Sequence, residues 1–113
     1  MANKILKNID LATPLSLAAL VTYQEGQIVS RTLVQNRAVS LTLFAFDTNE
    51  EISSHESKGD AMVQVLDGKA QITVGEGVYF LTAGETVVMP AGVPHALEAV
   101  EPFKMLLTVI FPG

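Results

Sequence analysis

Residues 84–95 read Gly-Glu-Thr-Val-Val-Met-Pro-Ala-Gly-Val-Pro-His, a short apolar run followed by a turn of prolines and glycine and then by a histidine. Proline fixes its φ angle and glycine permits positive φ, so such a turn sets the angle between the two strands that it joins. His95 opens the next apolar run, 96–100, which holds its imidazole at the start of a strand. The only other histidine, His55, also precedes an apolar run, so the two rings form one site if the fold brings them together.

The rest of the chain is typical of β-strands separated by short turns. Strand-like runs recur at about the 8–12 residue spacing of sandwiches and barrels. The pair Asp67-Gly68 between two apolar runs predicts a β-hairpin, and the polar segment 47–60 predicts a long loop. Segment 17–23 suits a strand by pattern, although its alanines suit a helix equally well. We therefore predict an all-β fold of about ten strands with no long helix.

Composition narrows the class of protein. A chain of 113 residues can bury one core, so 1–113 is predicted to be a single domain. It has no cysteine, which leaves no disulfide and no thiolate, and the expected location is the cytoplasm. No apolar run approaches the ~20 residues of a membrane helix, and a net charge of −5 disfavours nucleic acid. A hydrophobic content of 49% indicates a subunit interface, and we expect a homodimer.

The turn and its histidine carry a family resemblance. Gly84, Pro90, Gly92 and His95 have the full spacing of the second motif of the cupins, which runs Gly, five residues, Pro, one, Gly, two, His, three, Asn. Only the last position differs, because Ala99 stands where that motif has Asn. The second motif thus covers 84–99.

The first cupin motif is matched less completely, over residues 49–68. That motif runs Gly, five residues, His, one, His, three or four, Glu, six, Gly, and His55 and Gly68 fit it. Three positions differ: Asn49 for the leading Gly, Ser57 for the second His and Ala61 for the Glu. The chain resembles a small single-domain microbial cupin with a degenerate first motif.

This resemblance implies a jelly-roll barrel, also called a double-stranded β-helix. It implies that residues 1–37 form N-terminal strands, and that the strand at 28–35 lies where small cupins exchange or pair strands between two subunits.

The resemblance also implies a metal site. Cupins commonly hold iron, manganese, nickel, copper or zinc through the two first-motif histidines, the Glu and the second-motif His. Two of these four positions, His55 and His95, are kept here, and two imidazoles alone should bind a metal weakly. Asp60 lies next to the missing Glu, but it would point inward only with a one-residue bulge. By strand alternation Ser57 shares the face of His55.

Three hypotheses remain for the barrel mouth. In the first, His55 and His95 line an apolar pocket and bond only to water or backbone. In the second, they hold a divalent metal whose coordination water completes. In the third, a metal-free pocket binds a small molecule through His55, Ser57 and His95. We expect small-molecule binding; the alternative is a metal-dependent enzyme, such as a dioxygenase or isomerase of a small organic acid, which needs a third ligand.

Overall fold

The computed structural model describes residues 5–113, and in them the chain is almost entirely β-sheet. A 3-10 helix, Leu17–Leu20, precedes seven strands. The strands are β1 (Ile28–Gln35), β2 (Val39–Phe46), β3 (Glu51–His55), β4 (Asp60–Val74), β5 (Gly77–Thr82), β6 (Thr86–Met89) and β7 (His95–Ile110). All pairs are antiparallel, in the order β1-β2-β7-β4-β5, with β3 on β7 and β6 on β4. The prediction of an all-β barrel is confirmed.

The two long strands, β4 and β7, pair along nearly their whole length and have different neighbours at their two ends. We call β1, β2, β6 and the adjoining parts of β4 (60–66) and β7 (103–110) the covered half-sheet. The open half-sheet consists of β3, β5 and the other parts of the long strands, 69–74 and 95–100. Buried side chains from both half-sheets form one hydrophobic cluster, so the half-sheets enclose a barrel core.

Aromatic and aliphatic side chains fill this core at its centre. The rings of Phe46 and Phe103 are stacked with centroids 4.5 Å apart, and both side chains are fully buried. Ile72 and Leu97 extend the core under the open half-sheet. Burial of such side chains from water is the main stabilising term of the fold.

The predicted hairpin at Asp67-Gly68 is wrong, because β4 continues through this pair and only bends there. A two-residue hairpin of this type needs positive φ at both residues, and only Gly68 has it, at 76°. Register shifts flank the pair, in which Asp67 is opposite Lys104 and Gly68 is opposite Phe103 of β7. A Cβ on Gly68 would lie 2.8 Å from the Cα of Phe103, so glycine allows the two backbones to bend against each other. The two apolar runs on either side of Asp67-Gly68 are therefore one continuous strand, β4.

Four further expectations are corrected in the described part of the chain. Segment 17–23 contains a 3-10 helix, since Leu17 and Leu20 both pack onto the second hydrophobic cluster. The polar segment 47–60 contains β3, an edge strand whose mostly exposed side chains give no apolar signal. Within residues 5–37 the only strand is β1, so the N-terminal strands reduce to one. The strand total is seven instead of about ten.

The N-terminal segment packs on the outer face of the covered half-sheet. A second cluster forms there around Val21, Leu33, Leu43 and Ala45, against which Leu6, Ile9, Leu17 and Leu20 are packed. The guanidinium of Arg31 donates an intramolecular hydrogen bond to the carbonyl of Leu20 at 3.0 Å, which links β1 to the 3-10 helix.

Polar contacts with the long strands also hold this segment. The hydroxyl of Tyr23 donates a hydrogen bond to the carboxylate of Asp67, and the Lys104 ammonium donates one to the carbonyl of Ala18 at 2.7 Å. Burial and then the bond to Asp67 raise the pKa of Tyr23, since both disfavour a phenolate. Among residues 5–113 no helix is long and apolar enough to cross a bilayer.

Candidate functional site at the barrel mouth

The two histidines lie side by side at one end of the barrel. β3 and β7 are in register so that His55 is directly opposite His95. Their Nε2 atoms are 3.1 Å apart, their ring centroids are 4.3 Å apart, and the ring planes meet at 71°. A straight N–H···N bond between two imidazoles would separate the ring centroids by roughly 5 Å. The observed centroids are closer than this, so the two Nε2 atoms approach each other at an angle. The structure brings together the two candidate ligands.

The other nitrogen of each ring faces a backbone carbonyl. Nδ1 of His55 is 3.0 Å from the carbonyl oxygen of Ser53, and Nδ1 of His95 is 3.3 Å from that of Val93. A carbonyl only accepts, so in the neutral rings these contacts favour the tautomer with the proton on Nδ1. Both Nε2 atoms then carry lone pairs toward the same region.

Burial distinguishes the two rings. His95 is 2% exposed, whereas His55 is an exposed residue of the edge strand. Desolvation lowers the pKa of His95, and the neighbouring His55 lowers it further. The neutral form of His95, which is the form that binds a metal, is therefore favoured near neutral pH.

Residues of the first motif hold the turn that precedes His95. The amide of Gly92 donates a hydrogen bond to the carbonyl of Ser57 at 2.9 Å, and the amide of Ala91 donates one to Oδ1 of Asp60 at 2.8 Å. The amide of Gly75 donates to the carbonyl of Pro94 at 2.8 Å. The motifs are thus joined by backbone contacts as well as by their histidines.

These contacts locate the two remaining sequence candidates. Oγ of Ser57 accepts a hydrogen bond from the Gly59 amide at 3.1 Å, in the turn that leads into β4. Asp60 is an exposed residue whose Oδ1 accepts the bond from Ala91. Both side chains support turns at the rim, and their roles in binding stay predictions. Among the described residues no three His, Cys, Asp or Glu side chains are grouped as a metal site would require.

Small and apolar side chains surround His95 on the inner face of the barrel. Ala61, Leu97 and Ala99 are buried on the inner face with His95, while Glu98 alternates away from them. Asn49, which replaces the leading Gly of the motif, has a φ of 70° and so keeps the left-handed backbone that glycine would supply.

A separate groove lies on the outer face of the open half-sheet. It has a volume of about 230 Å³ and forms around the small side chain of Ala96, between residues of β3 and β4. The alternation of β7 directs Ala96 away from the face of His95, so this groove does not contain the histidine pair.

A small antiparallel barrel built around two long paired strands has the double-stranded β-helix fold. A cupin-domain sequence profile matches residues 42–111, more than half of the chain. The protein belongs to the cupin family.

Relatives of this chain agree with that assignment. A conserved protein of unknown function from Streptococcus pyogenes is 46% identical, with a TM-score of 0.97 over 100% of this chain and 99% of its own. A cupin superfamily protein from Desulfitobacterium hafniense is 34% identical, with a TM-score of 0.90 over 95% and 98%. An uncharacterized protein of Streptomyces coelicolor is 30% identical over 79 residues, which are 70% of this chain and 75% of the relative.

Two parts of the site were not identified from the sequence. One is β3 itself, whose single inward-facing apolar residue, Ile52, is the only sign of a strand in a polar segment. The other is the pair of carbonyls of Ser53 and Val93, which belong to the backbone and leave no trace in residue type. In both cases the carbonyl comes two residues before the histidine, a spacing that could have suggested the contact.

Proposed function

We propose that the protein binds a small molecule at the barrel mouth through a weakly held divalent metal ion on His55 and His95. The observation that carries this proposal is the convergence of two Nε2 atoms 3.1 Å apart whose Nδ1 atoms both face carbonyls. Two lone pairs this close repel each other unless a proton or a metal ion lies between them, and burial disfavours a charged His95 ring as the source of that proton.

The residues fit a metal in donor type and in spacing. Imidazole suits zinc, copper, nickel and iron, and two nitrogens at about 2.0–2.1 Å from one ion must be within roughly 4.2 Å of each other. Each ring also has the carbonyl contact at Nδ1 that metal-binding histidines usually make. An ion held by only two protein ligands would leave positions open to oxygen donors of a ligand.

Binding is proposed instead of catalysis because two imidazoles fall one ligand short of the usual catalytic sets.

The location and the oligomeric state are proposed from the composition of the chain. We propose a cytoplasmic homodimer, supported by large apolar side chains that one chain leaves exposed, among them Val78, Phe80, Val88 and Val100. Light scattering at micromolar concentration should give about twice 12.1 kDa, and a mass near 12.1 kDa would contradict the dimer.

The metal is tested by calorimetric titration of protein purified without a tag. We expect one ion per chain, with affinity rising from Mn²⁺ through Co²⁺ and Ni²⁺ to Cu²⁺ as for other nitrogen sites. Both His55→Ala and His95→Ala should lose the ion. No uptake by the wild-type protein, or unchanged uptake by either variant, would refute the proposal.

Two matched controls show whether the rim residues are ligands. Asp60→Asn keeps the oxygen that accepts from Ala91, and Ser57→Ala removes only the hydroxyl. We expect both variants to bind the ion within about threefold of wild type, since only the imidazoles hold it; a loss of the 10- to 100-fold size seen for metal-site groups would make either residue part of the site.

A further inference from the structure

The outer face of the open half-sheet carries large apolar side chains that remain exposed. The N-terminal segment packs against the covered half-sheet instead. On the open half-sheet Phe80 is 55% exposed, Val78 is 52% exposed and Val100 is 46% exposed. A group of exposed apolar side chains on one face of a small protein commonly marks an interaction site.

A pair of acidic side chains lies on the β3 side of this face. Glu51 of β3 is directly opposite Glu98 of β7. Alternation directs both side chains outward, because the adjacent residues Ile52 and Leu97 pack in the barrel core. Like charges in directly opposed positions destabilise a sheet, so this pair favours the approach of a cation.

A cation and an aromatic ring lie together on the β5 side. Lys69 is the only lysine or arginine in the strands of the open half-sheet. It is opposite Thr82, while Gln71 is opposite Phe80, so Lys69 is a diagonal neighbour of Phe80. Its ammonium nitrogen is 5.6 Å from the centroid of the Phe80 ring. This side of the face therefore presents a positive charge next to an apolar surface.

The groove around Ala96 lies between these two sides. Its volume is about 230 Å³, and Glu51 and Glu98 are among the residues that line it. Gln71 also lines the groove and is opposite Glu98 on one side and Phe80 on the other. Glu98 and Phe80 are thus two strands apart, a Cα separation of about 10 Å.

We propose that this face binds a second copy of the chain. The inference rests on the homodimer proposed above and assigns its interface. A two-fold axis that runs between β4 and β7 turns one copy over, so that its β5 side covers the β3 side of the other copy. The Phe80 ring of one copy then covers the groove of the other, and its Lys69 ammonium approaches Glu51 and Glu98. Symmetry forms the same contacts a second time.

Charge complementarity identifies the occupant as a second copy. One face supplies both the cation and the opposed carboxylates, as an interface between identical surfaces requires. Of the four exposed apolar side chains that support the dimer, Val88 alone is on the covered half-sheet. The other three lie on this face, where they provide the apolar centre that protein interfaces usually have.

The test exchanges the charges between two variants. Lys69→Glu brings carboxylates against carboxylates, and Glu51→Lys together with Glu98→Lys brings ammonium groups against ammonium groups. Each variant alone should raise the Kd of the dimer by about 100-fold in sedimentation equilibrium. A mixture of the two should dimerise, because every substituted side chain then faces the opposite charge. Lys58→Glu is the matched control, since it makes the same charge change in the turn between β3 and β4, and it should leave the Kd unchanged.

Phe80→Ala tests the apolar contact with no change of charge. The ring is half-exposed in a single chain, so its loss should leave the chain folded and raise the Kd of the dimer by about tenfold. Val88→Ala is the matched control, because Val88 is 50% exposed but lies on the covered half-sheet. It should leave the Kd unchanged.

The outcomes separate the dimer from its interface. A wild-type mass near 12.1 kDa would overturn the proposed dimer and this inference together. A wild-type dimer whose Kd is unchanged in Lys69→Glu and in Phe80→Ala would overturn the inference alone, because the two copies would then associate through another surface. Failure of the mixed variants to dimerise would overturn the charge pairing.

Discussion

The covered and the open half-sheet are built from the same two long strands, yet they are packed differently. The covered half-sheet has the barrel core on one face and the N-terminal segment on the other. The open half-sheet shares the barrel core but has exposed apolar side chains on its outer face, including Phe80. The histidine pair lies in the open half-sheet. Both halves thus contribute buried side chains to the core, and they differ in how much of the outer face is covered.

The largest expected effect is in the barrel core of the covered half-sheet. Phe103→Ala removes a fully buried ring that stacks on Phe46, and we expect a loss of about 3–5 kcal/mol in the free energy of unfolding. Phe80→Ala, in the open half-sheet, removes a ring that is 55% exposed and should cost less than about 0.5 kcal/mol. Urea unfolding measures both values; similar losses would mean that the two halves do not differ in packing.

The bend between the halves should come next. Gly68→Ala adds a Cβ at positive φ and against the backbone of Phe103, so we expect a loss of about 3 kcal/mol. Gly84→Ala is the control, because Gly84 has a φ of 93° with no atom within 4 Å of an added Cβ. It should cost about 1 kcal/mol. Thermal and urea unfolding measure both variants. Equal losses in Gly68→Ala and Gly84→Ala would mean that the close approach of the strands is not what requires Gly68.

The two histidines should differ in stability although both are needed for the metal. His95→Ala empties a buried position on a strand paired on both sides, and we expect a loss of about 2 kcal/mol. His55→Ala changes an exposed position of an edge strand and should cost about 0.5 kcal/mol or less. Unfolding of the metal-free proteins tests this, and the reverse order would show that β3 is the more tightly packed strand.

A smaller loss than that of His95→Ala is expected where the N-terminal segment contacts β4. Tyr23→Phe removes the hydrogen bond to Asp67 and should cost about 1 kcal/mol near pH 7. Because the folded-state pKa of Tyr23 is raised above its ordinary value of 10.0, its contribution is present below pH 10.0 and decreases as the pH rises above it. The wild-type advantage over Tyr23→Phe should therefore shrink in alkaline solution; an advantage that grows there would contradict the raised pKa.

Sequence patterns predicted the half of the site that depends on side-chain parity. The family resemblance put His55 and His95 at ligand positions of one site, and the structure places them opposite each other on β3 and β7. The family motif also identified Gly68 correctly, although its neighbour Asp67 suggested a hairpin. Local turn chemistry was overridden there by the long pairing of β4 with β7, which a local pattern does not contain.

The other half of the site depends on contacts that residue types do not encode. β3 is an edge strand with little apolar area, so its sequence resembles a loop.

The shared bend at Gly68 has a consequence for how such a chain can change length during evolution. A hairpin at this point would tolerate added residues as an ordinary surface loop does. A bend inside two continuous strands does not, because one inserted residue would turn every later side chain of β4 to the opposite face. Insertions in descendants of this chain should therefore be found in the turns between strands, and the spacing across residues 61–74 should be kept.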